Sequence, residues 1–193
     1  MRPDPLTFYF DFTCPYSYLG WELVQKARRQ RTFPMRLVGI GPNPPGNPNL
    51  LGRALWCDQR WSALQKLAAQ LDITIRKPGM KASSIPALRG LTVYEGSGLP
   101  EYVSGVFRAF FRDNVDISIP RNLVDNLQSN GIDPKPLAKA LIMPETLRKV
   151  EDDLFLWGHE RIRTLPTLCY GQERLAGLFD QRGIDNFLIL LDM

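Results

Sequence analysis

The chain has 193 residues, 44% of them hydrophobic and 23% charged, a balance that fits one folded domain and argues against a disordered chain. The formal charge of +4 is scattered, and its densest run, KARRQR at 26–31, reads as the polar end of an amphipathic helix, so no nucleic-acid surface is expected. No apolar run reaches the ~18 residues of a membrane span, and the opening MRPDPLTFYFDF lacks the apolar region of a secretory leader, so no membrane association and a cytoplasmic location are expected.

In chain order, the aromatic-rich LTFYFDF at 6–12 predicts a buried strand. TCPYSYLGWELVQKARRQ follows as a helix. Thr13 or Cys14 stands at the N-cap, Pro15 at the first helical position, and Tyr16, Leu19, Leu23 and Ala27 recur at helical spacing. FPMRLVGIG at 33–41 predicts a second strand, parallel to the first through a right-handed crossover. PNPPGNPN at 42–49 is a loop.

From about 53 to 150 the pattern is helical. ALWCDQRWSALQKLAAQL repeats leucine at 55, 64, 67 and 71, SSIPALRGLTVYEG opens with serine at a cap position, and LPEYVSGVFRAFFRDN presents Val103, Val106, Phe107, Phe110 and Phe111 on one face. SIPRNLVDNLQSNG closes at Asn130-Gly131, and DPKPLAKAL and PETLRKVEDDLFLWGHERI complete the run. Two short apolar segments around Gly171-Gln172 then predict a β-hairpin, and LFDQRGIDNFLILLDM a terminal helix. The order is β-α-β, a helical block, then β-β-α.

The cysteines are Cys14, Cys57 and Cys169, and His159 is the one histidine. Their number and spacing exclude a disulfide framework and a multi-histidine metal site, so no metal is expected and the chemistry is that of thiol, hydroxyl or carboxylate. Cys14 is the candidate. At a helix N-terminus it meets the positive end of the macrodipole and unpaired backbone N–H groups, which favour thiolate over thiol. Pro15 is expected to leave its sulfur exposed at the tip. The competing reading is an inert, buried cap residue. Cys57 and Cys169 read as core, His159 as a capping or surface residue, and Trp56, Trp61 and the phenylalanine cluster as core or as an aromatic wall around an apolar substrate.

FYFDFTCPYSYLGWE, the element order, and TLPT before the hairpin together resemble the thioredoxin superfamily. More narrowly they resemble its DsbA-like branch, which includes kappa-class glutathione transferases and 2-hydroxychromene-2-carboxylate isomerases. SSIPALRG, FRAFFRDNVDISIPRNL and NGIDPKPLAKAL also resemble the helical insert of the isomerases. The resemblance implies an α/β thioredoxin fold at 1–50 and 160–193, with a helical insertion at 51–159.

It also implies a cis peptide at Pro166, with the N–H and C=O of Leu165 pairing with the backbone of a bound thiol peptide such as glutathione. Two positions depart from family patterns. Ser17 stands where disulfide oxidoreductases carry the second cysteine of C-x-x-C, so no disulfide can form within the motif. Cys14 stands where kappa transferases and isomerases carry serine. The site thus resembles a monothiol centre, with Cys14 as nucleophile and Ser17 as hydrogen-bond donor to its sulfur, glutathione supplying the second thiol.

Pro15, Tyr16 and Asn47 are expected beside the ligand. The N–H of Phe179 would receive the γ-glutamyl carboxylate of glutathione and Asp180 its amine, although Asp180 would serve equally as a helix N-cap. Three functions follow. One is thiol–disulfide exchange coupled to glutathione. The second is a glutathione-dependent isomerase or transferase acting on a small aromatic substrate. The third is a non-catalytic binding module. A homodimer is a possible assembly.

Overall fold

Burial of LTFYF on both faces, with only Thr7 half-buried, makes it an inner strand of the sheet. In the computed structural model, β1 (Leu6–Phe10) pairs in parallel with β2 (Met35–Gly39) and antiparallel with β3 (Thr167–Tyr170), which pairs antiparallel with β4 (Glu173–Ala176). The strand order is β2-β1-β3-β4. Residues 5–40, 58–160, 162–177 and 179–192 are described; side chains at 155–160 and 191–192 are not. Asn47, Trp56 and Cys57 lie outside this set.

The crossover from β1 to β2 is α1 (Pro15–Gln30), entered through Cys14 as N-cap and Pro15 at the first position. Between β2 and β3 come α2 (Asp58–Gln70), α3 (Ile85–Gly90), α4 (Gly98–Phe111), α5 (Pro120–Ser129), α6 (Lys135–Ile142) and α7 (Pro144–Glu160). Gly171, at φ +57°, turns β3 into β4, a left-handed conformation that glycine adopts without a Cβ penalty. Then α8 (Gln181–Leu188) runs into a 3₁₀ turn at Ile189–Asp192. The expected β-α-β, helices, β-β-α order stands; both early strands are shorter than read, because Asp11 and the proline at 34 lie outside the ladder.

One face of β1 carries Leu6, Phe8 and Phe10, all fully buried, and faces α1 and α4. Phe8 packs at a tilt against Trp21 of α1, with ring centroids 5.8 Å apart, and Phe10 lies 5.7 Å from Phe107 of α4. Tyr18 sits between Phe107 and Phe111 at 5.7 and 5.4 Å. Phe107, Phe110 and Phe111 are fully buried, so the cluster is core and not a substrate wall. The sheet and the helical block share one apolar cluster, which gives each a covered face that neither has alone.

Three polar ties fix the block. Trp21 Nε1 donates to Ser104 Oγ at 2.8 Å. Arg89 of α3 donates to the carbonyls of Ala140 and Met143 at 2.8 and 2.9 Å, closing the α6–α7 corner. Tyr102 Oη donates to the carbonyl of Ala87 at 2.6 Å. That last bond needs Gly90, because a Cβ there would stand 2.1 Å from Tyr102 Oη and 2.2 Å from its Cζ. Gly90→Ala is therefore expected to displace the buried ring and lose its hydrogen bond, costing about 3 kcal/mol in urea denaturation.

Candidate active site

Cys14 lies where β1 hands over to α1. Its N–H donates to the carbonyl of Asp11 at 3.1 Å and its own carbonyl accepts from Tyr18 N–H at 3.1 Å, so the residue is locked at the helix start. Across the site, the Leu165–Pro166 peptide is cis, and Cys14 Sγ donates to the carbonyl of Leu165 over 3.9 Å. Residues 151 apart in sequence thus meet at the sulfur. The approach is set by Gly20 of α1, where a Cβ would stand 2.7 Å from Pro166 Cγ and 3.1 Å from the Phe179 ring. Gly20 lets the Pro166 turn and the start of α8 lie directly on α1.

The sulfur is not exposed. Cys14 is fully buried in a small cluster with Tyr9, Ile40, Ile162 and Leu165. Burial pushes its thiol up to about 11; the side-chain and backbone hydrogen bonds of Ser17 and the backbone of Tyr16 pull it down, while the charge of Asp11 pushes it further up. The expected exposed thiolate is therefore corrected to a buried thiol. A helix terminus contributes about 0.3–2 kcal/mol, whereas burial can shift a pKa by as much as ~3–5 units. Desolvation wins.

Ser17 is fully buried beneath the sulfur, and its Oγ accepts from the N–H of Asp11 at 3.3 Å. Pro15 is buried and Tyr16 half-buried at the edge of the cluster. Leu165 is buried and Phe179 packs inward. Asp180 is the N-cap of α8, its Oδ1 accepting from Gly183 N–H at 2.7 Å, so the alternative capping role is the one its geometry displays. Asn47 lies outside the described residues. Cys169 is half-buried in β3, opposite Thr7 and Arg174, and neither it nor Cys14 is in a disulfide. Among the described residues no group of acids, cysteines and histidines is placed to hold a metal, and no helix is long and apolar enough to cross a membrane.

Sequence reasoning missed Asp11. Its carboxylate is fully buried directly before the Cys14 turn. Oδ1 accepts from the N–H of Thr13 at 2.7 Å and from the Thr13 hydroxyl, and Oδ2 accepts from Ser84 Oγ at 2.6 Å. Ser84 stands at the N-cap of α3 but makes no side-chain cap bond and reaches across to Asp11 instead. Burial pushes the Asp11 carboxyl up to about 6, against the pull of Ser84, Thr13 and the backbone of Phe12. The available signal was an acid inside an otherwise aromatic strand, which must be buried and must find donors.

A folded-state pKa above the usual 3.8 fixes the sign of the stability effect. The native state binds this proton more tightly than the unfolded chain, so the contribution is complete below pH ~4 and is lost as pH rises through ~6. Asp11→Asn is expected to remove that slope. Urea denaturation between pH 4 and 8 should show wild type losing about 2–3 kcal/mol more than the variant over this window.

The DSBA-like thioredoxin domain family matches residues 5–189. No curated protein matches the chain. Among solved structures, a 2-hydroxychromene-2-carboxylate isomerase superposes with a TM-score of 0.78 at 19% identity, covering 97% of this chain and 93% of that one. A probable DsbA oxidoreductase from Streptomyces coelicolor gives 0.77 at 14% identity, over 97% and 89%. The cytosolic disulfide reductase DsbM from Pseudomonas aeruginosa, solved with GSH, gives 0.64 at 17% identity, over 97% and 96%. At these identities the likeness carries the fold, and the family match extends over nearly the whole chain: the protein belongs to the DsbA-like thioredoxin family.

Proposed function

We propose that the protein is a glutathione-coupled thiol–disulfide oxidoreductase with a single working thiol, Cys14. The observation that carries this reading is the meeting of Cys14 Sγ, at the N-terminus of α1, with the carbonyl of Leu165 beside Pro166. A peptide-like disulfide laid along Leu165 would present its sulfur to that thiol. The GSH in the DsbM structure supports glutathione as the small thiol.

The reaction needs no second cysteine. Cys14 loses its proton and attacks the glutathionyl sulfur of a mixed disulfide R–S–SG. The S–S bond of the mixed disulfide breaks, the Cys14–SG disulfide forms, and R–S⁻ leaves and takes up a proton. A glutathione thiolate then attacks the glutathionyl sulfur, releasing GSSG and restoring Cys14. The net exchange is R–S–SG + GSH → RSH + GSSG: the incoming glutathione thiol is oxidised to the disulfide level, the R sulfur is reduced to the thiol, and the glutathionyl sulfur stays at the disulfide level throughout. Ser17, buried against the sulfur, would donate its hydroxyl to the thiolate as it forms and as it leaves. Pro15, Tyr16, Leu165, Pro166 and the start of α8 at Phe179 and Asp180 would form the glutathione face.

A second reading rests on the buried, protonated state of the thiol. A neutral Cys14 can donate a hydrogen bond to the sulfur of bound glutathione, as a glutathione-dependent isomerase or transferase acting on an aromatic substrate would require. A thiol is a weak donor, so the first reading is preferred.

The test uses reduced protein and oxidised glutathione at about pH 6, with intact mass and peptide mapping. Saturable, reversible addition of one glutathione at Cys14, faster than addition of a hydroxyethyl group from hydroxyethyl disulfide, is expected. It should vanish in Cys14→Ala. No adduct at Cys14 would overturn the oxidoreductase reading. Reduced glutathione still binding in calorimetry would then point to the isomerase or transferase, and its failure to bind to a non-catalytic module.

A further inference from the structure

We propose that Asp11 is a positioning residue for Cys14: its carboxylate, clasped by Thr13 and by Ser84 of the helical block, governs how readily the thiol gives up its proton. This rests on Cys14 being the working thiol.

The geometry comes first. Asp11 touches the Cys14 turn at three places. Its carbonyl accepts the Cys14 N–H at 3.1 Å, its N–H donates to Ser17 Oγ at 3.3 Å, and Oδ1 holds both the N–H and the hydroxyl of Thr13, the residue before Cys14. Its remaining oxygen leaves the β1–α1 turn and accepts from Ser84 at the start of α3. Ser84 and Asp11 are both fully buried, so neither has water as a substitute partner.

The groups acting on Asp11 are neutral donors: the Ser84 hydroxyl from α3, and the Thr13 hydroxyl and backbone N–H groups from its own turn. Those acting on the Cys14 sulfur are Ser17 and the backbone of Tyr16 from α1, and the charge of Asp11; the cluster packed around it supplies the phenol of Tyr9 and the apolar Ile40, Ile162 and Leu165, with the side chains of Tyr16 and Cys169 at its edge.

Asp11 and Cys14 are three residues apart and both fully buried, so an ionised Asp11 opposes a second negative charge on the sulfur. Two buried groups coupled in this way titrate as a pair. Below the Asp11 titration the carboxyl is neutral and Cys14 is the better acid. Above it, Cys14 holds its proton more tightly. The donors on Asp11 set where that change falls. Ser84 thus links the seating of α3 to the reactivity of a thiol on α1.

The experiment measures modification of Cys14 in the full chain by methyl methanethiosulfonate from pH 5 to 9, with the site read by peptide mapping. In wild type, the logarithm of the rate should rise with pH, flatten as Asp11 ionises near pH 6, and rise again. Asp11→Asn keeps the size and the Oδ1 acceptor. It should give a straight line without the flattening, and a rate about tenfold above wild type at pH 8. Ser84→Ala removes one donor from the carboxylate and should move the flattening to higher pH, a shift that a purely structural role for Asp11 would not produce. An Asp11→Asn profile parallel to wild type, or a Ser84→Ala profile with its flattening unmoved, would overturn the proposal. Should Asp11→Asn fail to fold, Ser84→Ala decides it.

The outcome is separable from that of the oxidoreductase reading. A missing glutathione adduct with these profiles intact would sink that reading and leave the role of Asp11 standing. Parallel profiles with glutathione chemistry intact would do the reverse.

Discussion

The structure around the site depends on one buried carboxylate. Asp11 lies at the point where the sheet ends, the first helix begins and the helical block arrives. Burying an acid without partners costs several kcal/mol. Thr13 and Ser84 offset that cost. Each satisfaction is also a positional constraint. The Thr13 bonds bend the chain out of β1 into the cap of α1, and the Ser84 bond brings α3 onto the same spot. An apolar residue at 11 could fill the space, but it would impose none of these directions. The same residue that shortens β1 defines where Cys14 stands.

The apolar core explains why that clasp can hold. Phe8, Phe10, Phe12, Tyr18, Trp21 and Phe107 interlock from β1 through α1 to α4 as one continuous apolar cluster joining sheet and block. Water is kept from Asp11 by this packing, and Gly20 allows the Pro166 turn to close on α1 from the other side. The polar geometry is thus enforced by dispersion contacts, each worth little, summed over many aromatic atoms.

Much of the fold was legible in the sequence because it is local. Pro15 at a helix start, glycine at 171 in a hairpin turn and the leucine and phenylalanine spacings each declare their element without reference to a distant partner. What was not legible is what distance decides. Ser84 before Ile-Pro has the pattern of a cap, and only the arrival of Asp11 from 73 residues away draws its hydroxyl elsewhere. Cys14 at a helix N-terminus has the pattern of an activated thiolate, and only Tyr9, Ile40, Ile162 and Leu165, closing over it from three other segments, reverse the sign. Asp180 carried both roles in its sequence, and its short bond to Gly183 displays the local one. Periodicity reports which face is buried. It does not report how completely a single polar atom is enclosed.

That enclosure shapes how the chemistry can start. A thiol pushed to about 11 and donating to Leu165 is a resting form, since both its surroundings and its acceptor favour the proton staying on sulfur. The acceptor, however, is the backbone carbonyl that the proposed reading assigns to an incoming peptide. Sulfur is a weak donor and its contact spans 3.9 Å, whereas a peptide N–H is a strong donor with an optimum near ~2.9 Å. A ligand that takes the Leu165 carbonyl removes the acceptor of the thiol proton and leaves Ser17 and the helix N-terminus as hydrogen-bond donors to the sulfur, and both favour the anion. The thiol need not be reactive at rest for this arrangement to work. It needs only to exchange a weak partner for none at the moment a substrate supplies a better one.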